Sequence, residues 1–140
     1  MLFRSAARAQ LVEEALEPTL ESGSWILLDR FVDSSLAYQG GGRGLGLAPV
    51  EAINLFATGG LEPDRTLLLS IDPELGRTRA RGRGGEPDRL EREQRDFFAA
   101  VASTYEALAA AHPQRIKRID AAQDPELVLS AALAAIADLL

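Results

Sequence analysis

The sequence predicts an α/β domain with a mainly parallel sheet flanked by helices, and two observations predict it. Short strand-like runs recur at Trp25-Ile26-Leu27-Leu28, Thr66 to Ile71 and Arg115 to Asp120, each too short for an ordinary helix. Longer segments with apolar residues at helical spacing separate and follow them, so strand and helix alternate along the chain. That alternation is the pattern of parallel strands joined by right-handed crossovers.

The totals bound the reading. At 140 residues the chain is one domain or part of one, long enough to bury a core. It has no cysteine, which rules out disulfides and thiolate metal sites. No stretch has the apolar length of a membrane span, and the N-terminus lacks the basic-then-apolar build of a signal peptide. A soluble, cytoplasmic protein is therefore expected. The formal net charge of -6 argues against non-specific binding to nucleic acid, although a local basic cluster can still hold a nucleotide phosphate. No internal repeat or low-complexity tract is evident.

In chain order, Leu2 to Leu20 reads as an amphipathic helix. Leu11, Val12, Ala15 and Leu16 supply its apolar side and Glu13, Glu14 and Glu17 its polar side. Pro18 conflicts with a regular last turn, because it removes a backbone donor and clashes with the preceding turn. Gly23 suits the helix end. The uninterrupted run Trp25 to Leu28 suits a strand buried on both faces, and Asp29-Arg30 would stand at its carboxyl end, where open parallel sheets present their ligand crevice. A polar run with hydrogen-bonding tips follows, Asp33, Ser34, Ser35, Tyr38 and Gln39, and then a glycine-rich segment around Arg43. This layout suits a small anionic ligand, while a pair of merely solvated charges is the plainer reading of Asp29-Arg30.

Leu47-Ala48-Pro49 opens a helix through about Ala57, with Gly59-Gly60 as its stop and Val50, Ile53, Leu55 and Phe56 as core. After the strand from Thr66, Asp72-Pro73-Glu74 has the cap, first-turn proline and early acid of a helix start. Arg77, Arg79, Arg81 and Arg83 alternate and cannot share one helix face, so a basic flap is expected there, with a solvated charge run as the alternative. Leu90 to Ala111 reads as a long helix with Phe97, Phe98, Val101, Tyr105 and Leu108 as its stripe. His112, the only histidine, fits a helix end and is given no catalytic role. After the strand ending at Asp120, the loop Ala121-Ala122-Gln123 leads to Asp124-Pro125, which opens a final apolar helix to Leu140.

The string DRFVDSSLAYQGGGRGLG, from Asp29 to Gly46, closely resembles the nucleoside-monophosphate site of bacterial thymidylate kinases. The resemblance runs from about Arg8 to the C-terminus through FATGGLEPD, IDPELG, GEPDRLE and IDA. It implies a phosphate-loop NTPase-type parallel sheet flanked by helices, with the monophosphate site within residues 1–46 and a lid at about 77–89. It implies transfer of the γ-phosphoryl group of ATP, with Mg²⁺, to deoxythymidine monophosphate, and a homodimer formed through helix faces.

Roles then follow position by position from that resemblance. Arg30 would engage the monophosphate's phosphate and Asp29 would lie near the Mg²⁺ shell, both as catalytic residues. Arg8 and Ser35 would meet the thymine, and Tyr38 would lie against the sugar with Gln39 beside it. Arg79, Arg81 and Arg83 would be the lid arginines, bringing guanidinium groups over reacting phosphates. Ala121, Ala122 and Gln123 would border the adenine of ATP. Where the family places an aromatic one helical turn before Arg8, this chain has Arg4. Phe3, one residue further off, is the candidate for stacking on thymine, and a terminal core aromatic is its other reading.

A kinase of this class needs a Gly-x-x-x-x-Gly-Lys-Ser/Thr loop whose backbone amides cradle the ATP phosphates. The sequence contains none. The resemblance therefore corresponds to the C-terminal two-thirds of a family member, incomplete at the N-terminus. Competing expectations are an inactive dTMP-binding fragment, or a related kinase acting on a deoxynucleoside or another monophosphate, since fold alone does not fix substrate.

Overall fold

The computed structural model describes residues 2–72, 75–76, 78 and 89–140. The chain divides into two compact units, Met1–Glu62 and Pro63–Leu140. Arg77, Arg79, Arg81 and Arg83, where a basic flap is expected, lie outside the described residues, as do Pro73 and Glu74.

The first unit is helical. Helix α1 (Leu2–Leu11) passes into a π-helical turn (Val12–Leu16) and then α2 (Glu17–Glu21). The wide turn answers the problem set by Pro18, which lacks an N–H and would crowd the carbonyl four residues back in a regular α-helix. The Glu17 N–H reaches five residues back to the Val12 carbonyl, and the Thr19 hydroxyl donates to the Ala15 carbonyl at 2.6 Å. The chain thus stays helical through the proline. It stops at Gly23, whose φ of 77° lets its own N–H reach the Leu20 carbonyl and the Ser24 N–H reach Thr19. The buried line of this rod is narrower than its apolar side suggests. Val12 and Leu16 are buried, one and two helical turns beyond Arg8, whereas Leu11 and Ala15 face solvent.

The strand expected at Trp25 to Leu28 does not form. Residues 24–28 carry no ladder, and Leu27 is 95 % exposed. A strand exists only where a neighbour takes its N–H and C=O groups. The described sheet has two strands, and both belong to the second unit.

After Asp29-Arg30 the polar run is helical: α3 (Val32–Ser35) continues into a second π-helical segment (Leu36–Gly42). Val32, Leu36, Ala37 and Gly40 form its buried side. A Cβ at Gly40 would stand 2.9 Å from Leu47 Cδ2 and 3.2 Å from the Gly46 carbonyl, so the close approach of the next helix requires glycine there. That helix, α4 (Leu47–Thr58), carries Pro49 in its first turn and ends at Gly59 and Gly60, as its sequence signals indicate. Its buried face is Val50, Asn54, Ala57 and Thr58. Leu55 and Phe56, expected as core, are exposed, Phe56 at 91 %, because they project from the far side of the helix.

The second unit is built on parallel strands β1 (Thr66–Ser70) and β2 (Ile116–Asp120), in register from Thr66 opposite Ile116 to Ser70 opposite Asp120. Helix α5 (Arg89–Ala111) lies between them in sequence and α6 (Pro125–Ile136) follows. Along α5, Val101 and Leu108 are buried and Phe97 and Tyr105 half-buried on one line, while Phe98 falls off it and is exposed. The Glu106 carboxylate ties α5 to both strands, accepting from Ser70 Oγ at 3.2 Å and from Arg118 Nε at 2.9 Å. The Arg65 side chain, only 8 % exposed, fastens the start of β1 to Gln114 and, at 2.6 Å, to Asp138. Asp72 acts as the expected cap, its carboxylate accepting from the Leu75 N–H at 3.1 Å. Asp124 precedes α6, but its side chain makes no cap hydrogen bond; its carbonyl receives the Leu127 and Val128 N–H groups instead. His112 is exposed at the end of α5.

Candidate functional site

Most of the sequence-predicted site residues lie in the first unit, and its helices bring several of them together. Arg8 projects from α1 on the same side as Val12 and Leu16, and so points into the unit rather than to solvent. Its guanidinium is held on two edges. Nη1 donates to Asn54 Oδ1 of α4 at 2.6 Å and Nη2 donates to Ser35 Oγ of α3 at 2.8 Å. Its Cζ lies over the Phe31 ring, 5.6 Å from the centroid. Arg8 and Ser35, both predicted to meet the same part of a ligand, are therefore in direct contact.

The chain reaches this arrangement through an unusual backbone. Arg30 has φ of 69°, the one described non-glycine residue at positive φ. Phe31 follows at φ -141° and ψ -134°, outside the ordinary regions. The pair turns the chain sharply between the extended run and α3. Non-glycine residues in this region cost energy and are retained where the surroundings enforce them, often at ligand sites. The Arg30 guanidinium then lies over the Tyr38 ring at 5.1 Å, so a second predicted pair is brought together. Asp29 and Arg30 are solvent-exposed, whereas Tyr38 and Gln39 are half-buried in the π-helical segment.

The arrangement offers two kinds of recognition. Arg8 is a positioned guanidinium backed by an aromatic ring, and Arg30 presents an exposed cation next to Tyr38. An arginine suits a phosphate because its planar fork can give two parallel N–H···O bonds. Phe3 sits in the first turn of α1, but its side chain lies outside the described residues.

Asn54 was not singled out by the sequence reading. It is 4 % exposed and also donates from Nδ2 to the Val32 carbonyl at 3.4 Å. The signal was present: an asparagine one turn after Val50 and one turn before Thr58 occupies the inward stripe of α4, where a polar group must find partners.

In the second unit, a crevice of about 310 Å³ opens beyond the carboxyl ends of β1 and β2, lined by Ser70, Ile71, Asp72, Arg118, Ile119 and Asp120. Ligands of parallel α/β sheets characteristically bind at this end. The predicted loop Ala121-Ala122-Gln123 leaves the same end of β2. It is pinned by Asp120, whose carboxylate accepts from the Ala122 N–H at 2.9 Å and from Gln123 Nε2 at 3.2 Å. Among the described residues no cluster of acidic or histidine side chains could by itself hold a metal ion. No described helix is long and apolar enough to cross a membrane.

The family model described as thymidylate kinase matches residues 1–132. The thymidylate kinase of Lactobacillus delbrueckii subsp. bulgaricus is 49% identical over 133 residues, covering 94% of this chain and 63% of its own length. That of Halorhodospira halophila is 45% identical over 135 residues, with 96% of this chain and 63% of its own covered. That of Deinococcus radiodurans is 51% identical over 130 residues, with 93% and 62% covered. The chain thus spans a little under two thirds of the length of these curated relatives. A match that runs through α1, the Arg30 turn and both strands places this chain in the thymidylate kinase family.

Proposed function

We propose that the chain carries the dTMP-binding part of a thymidylate kinase, whose complete reaction moves the γ-phosphoryl group of ATP to dTMP and yields dTDP and ADP. The observation that carries this reading is the Arg8 guanidinium held between Ser35 and Asn54 over Phe31. A positioned guanidinium suits a carbonyl oxygen of thymine, and the exposed Arg30 suits the phosphate of the nucleotide. In this reading Tyr38 lies against the deoxyribose with Gln39 beside it, and Arg79, Arg81 and Arg83 neutralise charge on the transferring group. Ala121, Ala122 and Gln123 border the adenine of ATP.

Asp29 fits a Mg²⁺ ion of the phosphate-bridged kind. Such an ion is commonly held by one or two carboxylates together with substrate phosphates, and the exposed Asp29 would supply one of them. When bound, Mg²⁺ neutralises phosphate charge. Assembly as a homodimer and residence in the cytoplasm belong to the same reading.

A second reading has its own observation. The chain holds no Gly-x-x-x-x-Gly-Lys-Ser/Thr motif, so it would bind dTMP without transferring phosphate. Titration calorimetry with dTMP and dCMP, run beside a coupled assay of ADP formation from MgATP, separates the two. Binding of dTMP in preference to dCMP supports the site in both readings, and ADP formation selects the first. Absence of dTMP binding, or equal binding of dCMP, overturns the assignment of the site.

A further inference from the structure

We propose that Asn54 is a positioning residue for base recognition: it ties the Arg8 guanidinium to α4 and α3 and so sets its direction at the site. The inference rests on the reading that this site binds dTMP, and it concerns a residue on the helix opposite the binding segment.

The hydrogen-bond chemistry admits one arrangement. Arginine can only donate and the Val32 carbonyl can only accept, so the Asn54 amide must turn its oxygen to Arg8 and its nitrogen to Val32. A leucine of similar volume would supply neither. An aspartate would keep the acceptor for Arg8 and lose the donor to Val32. Asn54 is buried, so solvent cannot take over its part. It thereby joins α4 to α1 and to the first residue of α3, which lies just after the strained Arg30. The Ser35 hydroxyl accepts from Arg8, so its own proton is directed away from the guanidinium. Arg8 is thus held by Asn54, which is itself bonded to α3, and by Ser35, with its Cζ over the Phe31 ring. Without Asn54 the guanidinium keeps its charge and its bond to Ser35 but loses its tie to α4.

The test is a double-mutant cycle on the 140-residue chain, read by calorimetry with dTMP. Asn54→Leu is expected to weaken dTMP binding about tenfold, and by less than about twofold when Arg8 is already alanine, because a residue acting through Arg8 has nothing left to position. Asn54→Asp, which keeps the acceptor, is expected to stay within about threefold of the parent. Equal losses from Asn54→Leu in both backgrounds, or a loss with Asn54→Asp as large as with Asn54→Leu, would overturn the proposal. A ligand-free arm separates this from the assignment of the ligand. The ¹⁵N signals of the Arg8 Nη groups are expected to show hindered rotation in the parent and in Asn54→Asp, and averaging in Asn54→Leu. Averaged signals in the parent refute the role of Asn54. Absent dTMP binding with hindered signals refutes only the ligand.

Discussion

Replacing Arg30 separately by alanine and by glycine isolates the backbone at the turn into α3. At φ 69° an L-residue sits in the left-handed region, which costs about 1–2 kcal/mol per residue relative to the right-handed one. Glycine escapes that cost, but its freer unfolded chain takes back roughly 0.5–1 kcal/mol. Both variants lose the contact with the Tyr38 ring, about 0.5–1 kcal/mol at an exposed site, so that contribution cancels between them. The difference leaves Arg30→Gly more stable than Arg30→Ala by about 0.5–1 kcal/mol, the reverse of the usual order within regular structure. Urea titration followed through the amide NMR signals of residues 31–58 reads the first unit alone. Both variants should lose dTMP affinity to the same degree, since both remove the guanidinium. An alanine variant as stable as the glycine variant, or more so, would refute the strained turn.

Other positions give independent tests. Gly23→Ala should destabilise the first unit by about 1 kcal/mol through its positive φ alone, because no atom stands within 4 Å of the new Cβ; thermal melting checks it. Gly40→Ala should cost about 1–3 kcal/mol by overpacking against Leu47 and the Gly46 carbonyl, and the Leu47 amide shift should move with it. In the second unit, Arg65→Ala should cost roughly 2 kcal/mol by removing a nearly buried cation bound to Gln114 and Asp138, and Asp138→Asn less than about 0.5 kcal/mol because Asp138 is exposed. Urea unfolding read on β1 amides distinguishes those two.

Much of this was legible in the sequence where the cause is local. The glycines at 23 and at 59 and 60, the cap at Asp72 and Pro49 in a first turn follow from short-range rules, and the parallel strands at Thr66 and Ile116 follow from the alternation of strand and helix along the chain. The misreadings share another cause. Trp25 to Leu28 has the composition of a strand, but a strand is made by its partner and no described strand pairs with it. Leu55, Phe56 and Phe98 were counted as core by hydrophobicity, whereas helix phase decides which side is buried and Asn54 wins over its larger neighbours. Two π-helical turns went unpredicted because the pattern of apolar residues reads the same for both windings over so few residues. At the site, the pairing of Arg8 with Ser35 was legible through the resemblance, and the hand that steadies Arg8 was not, because it arrives from a helix 46 residues away.

The most direct measurement is a ¹⁵N-resolved NMR titration of the 140-residue chain with dTMP. Saturable shifts concentrated at Arg8, Arg30, Ser35, Tyr38 and Asn54 are expected, with little change for an equal concentration of dCMP. Shifts that bypass these residues, or none at millimolar dTMP, would contradict the assignment of the site.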